Sequence, residues 1–548
     1  MVENYQPLLD NRDSHFYKTY QSLGEPAQQL YSRLLMRKPD YFRLSKTSYP
    51  EIENTDAAIT ALINSGLCTP ADISDAQHWL ALFRRDEIRS ALPHLSKTLV
   101  SEWSSESSQL GELLTHTDLL GFTPVDLLQR TDTIYRVELK DAFITFQLLF
   151  FGNLHQDISA FVLRDLGVTR FETTISKDLA LPFTSRAQLL AHKHYYECIG
   201  RYDENLKTDV NALLELHRQL FEIPTSITDT DSALKRRLDK WSNRIARQLE
   251  RLAATDAAMA IYKVTKRAPA RERLARIESK LGNEQAALMI CQEIINQPQD
   301  AAELDFAEQF GRIVAKKLKQ DYPAINKYTP PVVHLTLPKS ELSIEYAAAL
   351  EYAKTGNCFY VENTLITGLF GLVMWDIIFT PVAGAFFHPF QTAPADFREP
   401  EFTARRKDLI EQRMKELKSG ALNSLVLNNL HRKHGISNPL VNWYAMDRQI
   451  VVLALKRIPL AHWLAFFEYL LRDIPAHRSG LPDLIYFADS GGYQLLEVKG
   501  PGDQLQKNQR RWMKYFAEKE IPHSVVNVEL AHSETDNFTL AETNVSIQ

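Results

Sequence analysis

Glu497 and Lys499 stand one residue apart at the end of the apolar run YQLLEVK, directly before Gly500 and Pro501, and Asp483 opens a second apolar run, DLIYFAD. The two runs flank Ser490-Gly491-Gly492, a spacing that predicts a β-hairpin. Alternate side chains of a strand share a face, so Glu497 and Lys499 point one way and Val498 the other. Closing the hairpin brings Asp483 opposite the end of YQLLEVK. Two carboxylates at that spot repel each other unless a cation lies between them. Oxygen ligands of this kind suit Mg²⁺ or Mn²⁺. Such an ion lowers the pKa of a bound water and neutralises charge on a phosphodiester, while Lys499 orients the water or stabilises developing charge. Glu-x-Lys also occurs at Glu138, Glu278 and Glu416, the last two in helical pattern. Only Glu497-Val-Lys499 sits in a clear strand, follows Pro482-Asp483 by a hairpin's length, and precedes a helix.

The elements that must hold these residues can be read on either side. A helix is predicted from about Asp503, with Leu505, Gln509, Trp512 and Phe516 near one face, and HSVVNVEL (His523–Leu530) reads as a further strand. Upstream, KYTPPVVHLTLPKSELS is a linker or edge strand that opens a C-terminal domain. Helices are expected over 343–355 and 365–379, in EFTARRKDLIEQRMKELKSG up to Gly420, and in DRQIVVLALKRIPLAHWLAFFEYLL with a break at Pro459. The run LITGLFGLVMWDIIFTPVAGAFF resembles a membrane span. Asp376 and Pro381 interrupt it, and the apolar part before Asp376 is too short for a hydrocarbon core of about 30 Å. A helix buried in a large core is the better reading.

From about 186 to 325 the pattern is helical, and APARERLARIESKLGNEQAALMICQEIINQP reads as a helical hairpin, turning at Leu281-Gly282 and stopped by Pro298. It resembles one tetratricopeptide unit. Between Lys235 and Lys280 stand fourteen Lys/Arg and five Asp/Glu, so this window is strongly basic in a chain whose net charge is −5. It reads either as a solvated helix face or as a phosphate-contacting surface. Residues 1–185 are mixed and mostly helical. There MRKPDYFRLSKTSYPEI, followed by DAAITALINSGL, reads as a strand-and-helix nucleic-acid module or as a basic surface turn. HKHYYEC is expected to be a packed helix, since His192 and His194 diverge, and the cluster His431–His434 is a DNA contact or a solvated turn.

The length of 548 residues suits three to four domains. Four cysteines without a CxxC pair fit a reducing compartment and argue against a disulfide scaffold or a cysteine zinc site. The N-terminus lacks a signal-peptide layout, so secretion is not expected.

GLPDL…LLEVKGPGDQLQKNQRRW resembles the nuclease motif of the VRR-NUC group in the PD-(D/E)xK superfamily. The whole chain resembles a bacterial member of the Fanconi-associated nuclease family: YFRLSKTSYPEI is similar to its N-terminal DNA-binding region, APARERLARIESKLG to its TPR-like middle, and FYVENTLITGLFGLVMWDIIF to the helix that opens its nuclease domain. The resemblance implies a multi-domain chain. Its parts would be a largely α-helical, SAP/winged-helix-like DNA-binding region over 1–185, a helical TPR-like region over 186–326, and an α/β nuclease domain over 327–548 with its motif core at 430–545. Asp483 and Glu497 match metal-binding carboxylates, Val498 the position lending a backbone carbonyl, Lys499 the catalytic lysine, Gln509 a supporting glutamine, and Glu362 a further metal-ligating glutamate. Vertebrate-type members place glycines around that glutamate where this chain has Val361 and Asn363, which leaves the local backbone open.

The implied activity is 5′-flap endonuclease and 5′-to-3′ exonuclease cleavage of branched DNA with Mn²⁺ or Mg²⁺, in interstrand-crosslink repair. Candidates for holding DNA phosphates are Arg43, Lys46, Lys235, Arg236, Arg237 and Arg244. The implied partner is branched or 5′-flap DNA and no membrane. A monomer is expected, with a dimer on DNA left open, in the cytoplasm and associated with the nucleoid of a bacterium. No ubiquitin-binding zinc-finger spacing stands in the N-terminus, so recruitment by ubiquitinated partners is not expected. The alternatives are a restriction-type or junction-resolving nuclease on the same metal core, and a TPR-like scaffold with an inactive nuclease domain.

Overall fold

The computed structural model describes residues 2–37, 40–72, 75–87, 129–156, 166–173, 181–323 and 328–531, apart from scattered single positions. The chain divides into two units, Met1–Asp157 with Phe183–Lys193, and Ile158–Pro182 with His194–Gln548.

The first unit is built on α1 (Asn11–Ser22), α2 (Glu25–Leu35), β1 (Tyr41–Arg43), α3 (Thr55–Asn64), β2 (Cys68–Pro70), β3 (Ile134–Val137) and α4 (Lys140–Phe151). Two of its helices, α1 and α3, begin where short polar side chains take up free backbone N–H groups. Asp10 accepts from Asp13 N and Asn54 from Ala57 N. β3 lies between β1 and β2, antiparallel to both. Leu30, Tyr31, Leu34, Phe42, Ile59 and Leu62 form the core. The strand and helix expected after Met36 are β1 and α3.

The second unit opens with helices: α5 (Val210–Leu220), α6 (Ser232–Arg251), α7 (Thr255–Val264), α8 (Ala270–Lys280), α9 (Glu284–Asn296) and α10 (Ala301–Leu318). From α6 to α10 each packs on the next. The hairpin turn falls at Leu281-Gly282 and α9 ends before Pro298, with Ala275, Ala287, Leu288 and Cys291 fully buried. On α6 the apolar residues recur at helical spacing, and Leu234, Leu238, Ile245 and Leu249 are buried.

The nuclease-like part has β4 (Val332–Leu337), α11 (Ile344–Tyr352), β5 (Gly356–Tyr360) and α12 (Leu365–Val373). There follow α13 (Lys407–Glu416), α14 (Leu422–Arg432), α15 (Arg448–Arg457), α16 (Leu460–Arg472), β6 (Leu484–Ala488), β7 (Gln494–Lys499), α17 (Lys507–Glu518) and β8 (His523–Leu530). The strands form one sheet in the order β4-β8-β7-β6-β5, antiparallel from β5 to β7 and parallel from β7 through β8 to β4. β7 is therefore central and is sandwiched on both faces. Leu496 and Val498 pack with Leu484, Val526, Val528 and Ala348 of α11. On the other face Leu495 joins Ile485, Phe487, Trp512 and Phe516 in the main core. All of α12 is buried in that same core, each large apolar side chain contributing about 1.5–3 kcal/mol. Among the described residues no single helix is long and apolar enough to cross a membrane, and α15 and α16 bend by 111° at Pro459. The expected order of helix, strand, strand, helix and strand is α16, β6, β7, α17 and β8. β5 has no counterpart in the sequence reading.

Candidate active site

The hairpin register pairs Leu484 with Leu496, which sets Asp483 across from Glu497. Asp483 Oδ2 accepts from Val498 N at 2.8 Å. Glu497 is wholly buried. Its Oε1 meets Lys499 Nζ at 2.7 Å and Gln509 Nε2 at 2.5 Å, while Oε2 is buried with no hydrogen-bond partner. Glu497 and Lys499 thus lie on one side of β7, as alternation requires.

Gln509 occupies the third position of α17, and its Oε1 accepts from Gln506 N at 2.8 Å. One side chain caps the helix and steadies Glu497. Two glycines let the neighbouring backbones close around this spot. A Cβ on Gly480, where φ is +87°, would come within 2.7 Å of Asn508's carbonyl carbon, and one on Gly500 within 2.7 Å of Ile344 Cδ1.

Glu362 reaches the same place from the turn between β5 and α12. Val361 N donates to Asp483 O at 2.8 Å, so the chain on either side of the sheet edge is tied at the aspartate. Tyr360 Oη donates to Glu362 Oε2, and Asn363 Nδ2 donates to Glu362 Oε1 at 3.1 Å. Asn363 has a φ of +49°, the left-handed conformation that glycine would supply and asparagine tolerates.

Burial, then the charge of Asp483, pushes the Glu497 carboxyl up to about 8, against the pull of Lys499. Asp483 rises to about 6, chiefly by burial, with Glu362 and Glu345 adding to it and the Val498 N–H opposing. Two buried carboxyls held above their usual range, one oxygen with no donor, and two further acids nearby fit a divalent cation. Asp483, Glu497 and the Val498 backbone are the residues that could hold it, with Glu362 at the rim. Among the described residues no three acid, histidine or cysteine side chains already converge as a cage. The sequence reading missed Glu345, in the first turn of α11, and Tyr360. No motif marks either residue, since each is placed by pairing far along the chain.

The basic candidates divide. Arg43 is buried, with Nε 2.8 Å from Asp132 and Nη1 2.7 Å from Glu87, and so presents nothing to a phosphate. Arg236 is ion-paired to Glu399 and Glu401. Glu399 also serves Lys240 and Arg267, and Glu303 serves Arg271. The charge excess in the Lys235–Lys280 window is thus partly balanced by acids from outside it. Lys46 is exposed near Glu87 and Lys235 near Asp229. Arg244 is exposed over the rings of Trp241 and Tyr202, and Arg237 lies over Tyr196. Lys433 is paired with the buried Glu172, and His194 is bonded to the Gln219 carbonyl.

A family model described as VRR-NUC domain matches residues 417–530, and one described as FAN1, HTH domain matches residues 1–69. A Fanconi-associated nuclease 1 homolog of Pseudomonas aeruginosa is 31% identical over 539 residues, covering 96% of this chain and 93% of its own. The chain belongs to the Fanconi-associated nuclease family. A rice homolog of the family is 25% identical across 94% of this chain and 60% of its own. The crystal structure of paFAN1 bound to 2nt 5′flap DNA with gap superposes with a TM-score of 0.82 at 30% identity, covering 97% of this chain and 96% of that one. The VRR-NUC match encloses Asp483, Glu497, Val498, Lys499 and Gln509, whereas Glu345, Tyr360 and Glu362 lie before it.

Proposed function

We propose that this family member is a structure-selective, metal-dependent DNA nuclease. It hydrolyses phosphodiesters in branched DNA, cutting 5′ flaps and trimming 5′ to 3′ with Mn²⁺ or Mg²⁺, in the repair of interstrand crosslinks in a bacterial cytoplasm. The observation that carries the chemistry is the buried Glu497, with one oxygen lacking a donor, beside Asp483 and Lys499. A divalent ion there, held by Asp483, Glu497 and the Val498 carbonyl with Glu362 beside them, would supply an acidified water and charge neutralisation. The protein's own groups do the rest. Gln509 and the Asp483–Val498 bond fix the two carboxylates, and burial keeps bulk water from screening them. Lys499 Nζ, anchored on Glu497, is the cation that orients the attacking water or meets charge developing on the phosphoryl oxygens. The 5′-flap reading is supported by the similar structures of paFAN1, which hold 5′-flap DNA.

The test is cleavage of labelled 5′-flap and 3′-flap DNA with Mn²⁺ or EDTA, by the wild type and by Lys499→Ala. The expected result is 5′-flap cutting that exceeds 3′-flap cutting, needs metal, and falls about 10²–10³-fold in the variant. Equal cutting of both flaps would favour the restriction-type or junction-resolving reading. No metal-dependent cutting would leave a scaffold.

A further inference from the structure

We infer that Tyr360 and Asn363 are positioning residues that hold the carboxylate of Glu362 in one orientation near Asp483, from which it can serve a bound cation. This rests on the nuclease reading above. Glu362 is exposed, and a free glutamate in that setting samples many rotamers, which a ligand must freeze at an entropic cost. Here both carboxylate oxygens already have donors, Tyr360 Oη on Oε2 and Asn363 Nδ2 on Oε1. The donors are themselves fixed on the strand entry that carries Asp483. Tyr360 pairs with Leu484 at the end of β5. Val361 N bonds the Asp483 carbonyl, and Asn363 Oδ1 accepts from Leu481 N at 3.0 Å. Three ties therefore join residues 360–363 to residues 481–484, and Glu362 sits in the middle of them. The arrangement holds Glu362 near Asp483 before any cation arrives.

The experiment measures Mn²⁺ binding to the full chain by titration calorimetry, alongside flap cleavage against Mn²⁺ concentration. Tyr360→Phe removes one donor and keeps the ring. Asn363→Gly keeps the positive φ and removes the other donor with its tie to Leu481. Each is expected to weaken Mn²⁺ binding by roughly three- to tenfold, the net worth of one ordinary intramolecular hydrogen bond at an exposed site, and to raise the half-saturating Mn²⁺ by the same factor. The cleavage rate at saturating Mn²⁺ stays within about twofold of wild type. Glu362→Gln is the reference and must weaken binding at least as much. Unchanged Mn²⁺ binding in Tyr360→Phe, or a lowered saturated rate with unchanged binding, overturns the inference. A wild type that binds no Mn²⁺ and cuts nothing overturns the nuclease reading instead.

Discussion

The pair Asp483 and Glu497 is costly without a cation, and the cost has a pH signature. Burial, then the charge of Asp483, holds Glu497 at about 8, and burial, with Glu362 and Glu345 adding to it, holds Asp483 at about 6, whereas an unfolded glutamate titrates near ~4.3. Between those values the folded chain binds protons that the unfolded chain has released. Stability of the metal-free protein is therefore full below about pH 4 for these groups and is lost as pH rises through about 8. Urea unfolding in EDTA at pH 6, 7 and 8.5 should show this as a decline on the order of 1–3 kcal/mol. Glu497→Gln, which cannot ionise, should flatten that decline, and Mn²⁺ should stabilise the wild type increasingly with pH but not the variant. An identical pH slope in both proteins would mean that the fold does not hold the Glu497 carboxyl above its ordinary range.

At the scale of elements, α17 is the piece that turns a strand with two charges into a site, because Gln509 both caps it and holds Glu497. Its N-terminus lies against Gly480, at the start of the segment leading into β6. Gly480→Ala forces a methyl toward Asn508's carbonyl carbon at a φ of +87°. The expected loss is about 1–3 kcal/mol of stability. Cleavage per folded molecule should also fall, since α17 must shift and carry Gln509 with it. Thermal unfolding and flap cleavage on the same preparations separate the two effects. Full activity per folded molecule would show that α17 does not position Glu497.

The hairpin and its flanking helices were legible because alternation, the Gly-Gly turn and helical spacing are local signals. β5 was not: GNCFY has no clear alternation and is a strand only through its pairing with β6. Tyr360 went unread for the same reason, Glu345 because no motif marks it on its helix, Asn363 was noted only for the backbone beside Glu362, and Glu362 was placed by resemblance alone.

At the scale of the whole molecule the question is which basic residues face DNA. The window 235–280 looked short of acids because its partners stand far off in sequence, at Glu303, Glu399 and Glu401. Local charge counting cannot see such pairs, and it cannot see that Arg43 is buried between Asp132 and Glu87. Paired and exposed arginines should therefore respond oppositely to removal. Arg236 is mostly covered, with Glu399 and Glu401 around it, and Arg236→Ala leaves Glu399 with fewer partners. The expected outcome is a loss of about 1–3 kcal/mol in stability with little change in the salt dependence of flap binding. Arg244 is exposed, and its guanidinium rests on two aromatic rings that hold it outward. If it neutralises a phosphate, Arg244→Ala should leave stability within about 0.5 kcal/mol and weaken binding of 5′-flap DNA. It should also reduce the slope of log K against log salt by about 0.9, the contribution of one phosphate contact on duplex DNA. Fluorescence anisotropy of a labelled flap across a salt series in EDTA reads both quantities without cleavage. An unchanged slope in Arg244→Ala, or a reduced one in Arg236→Ala, would move the DNA surface off the exposed face of α6.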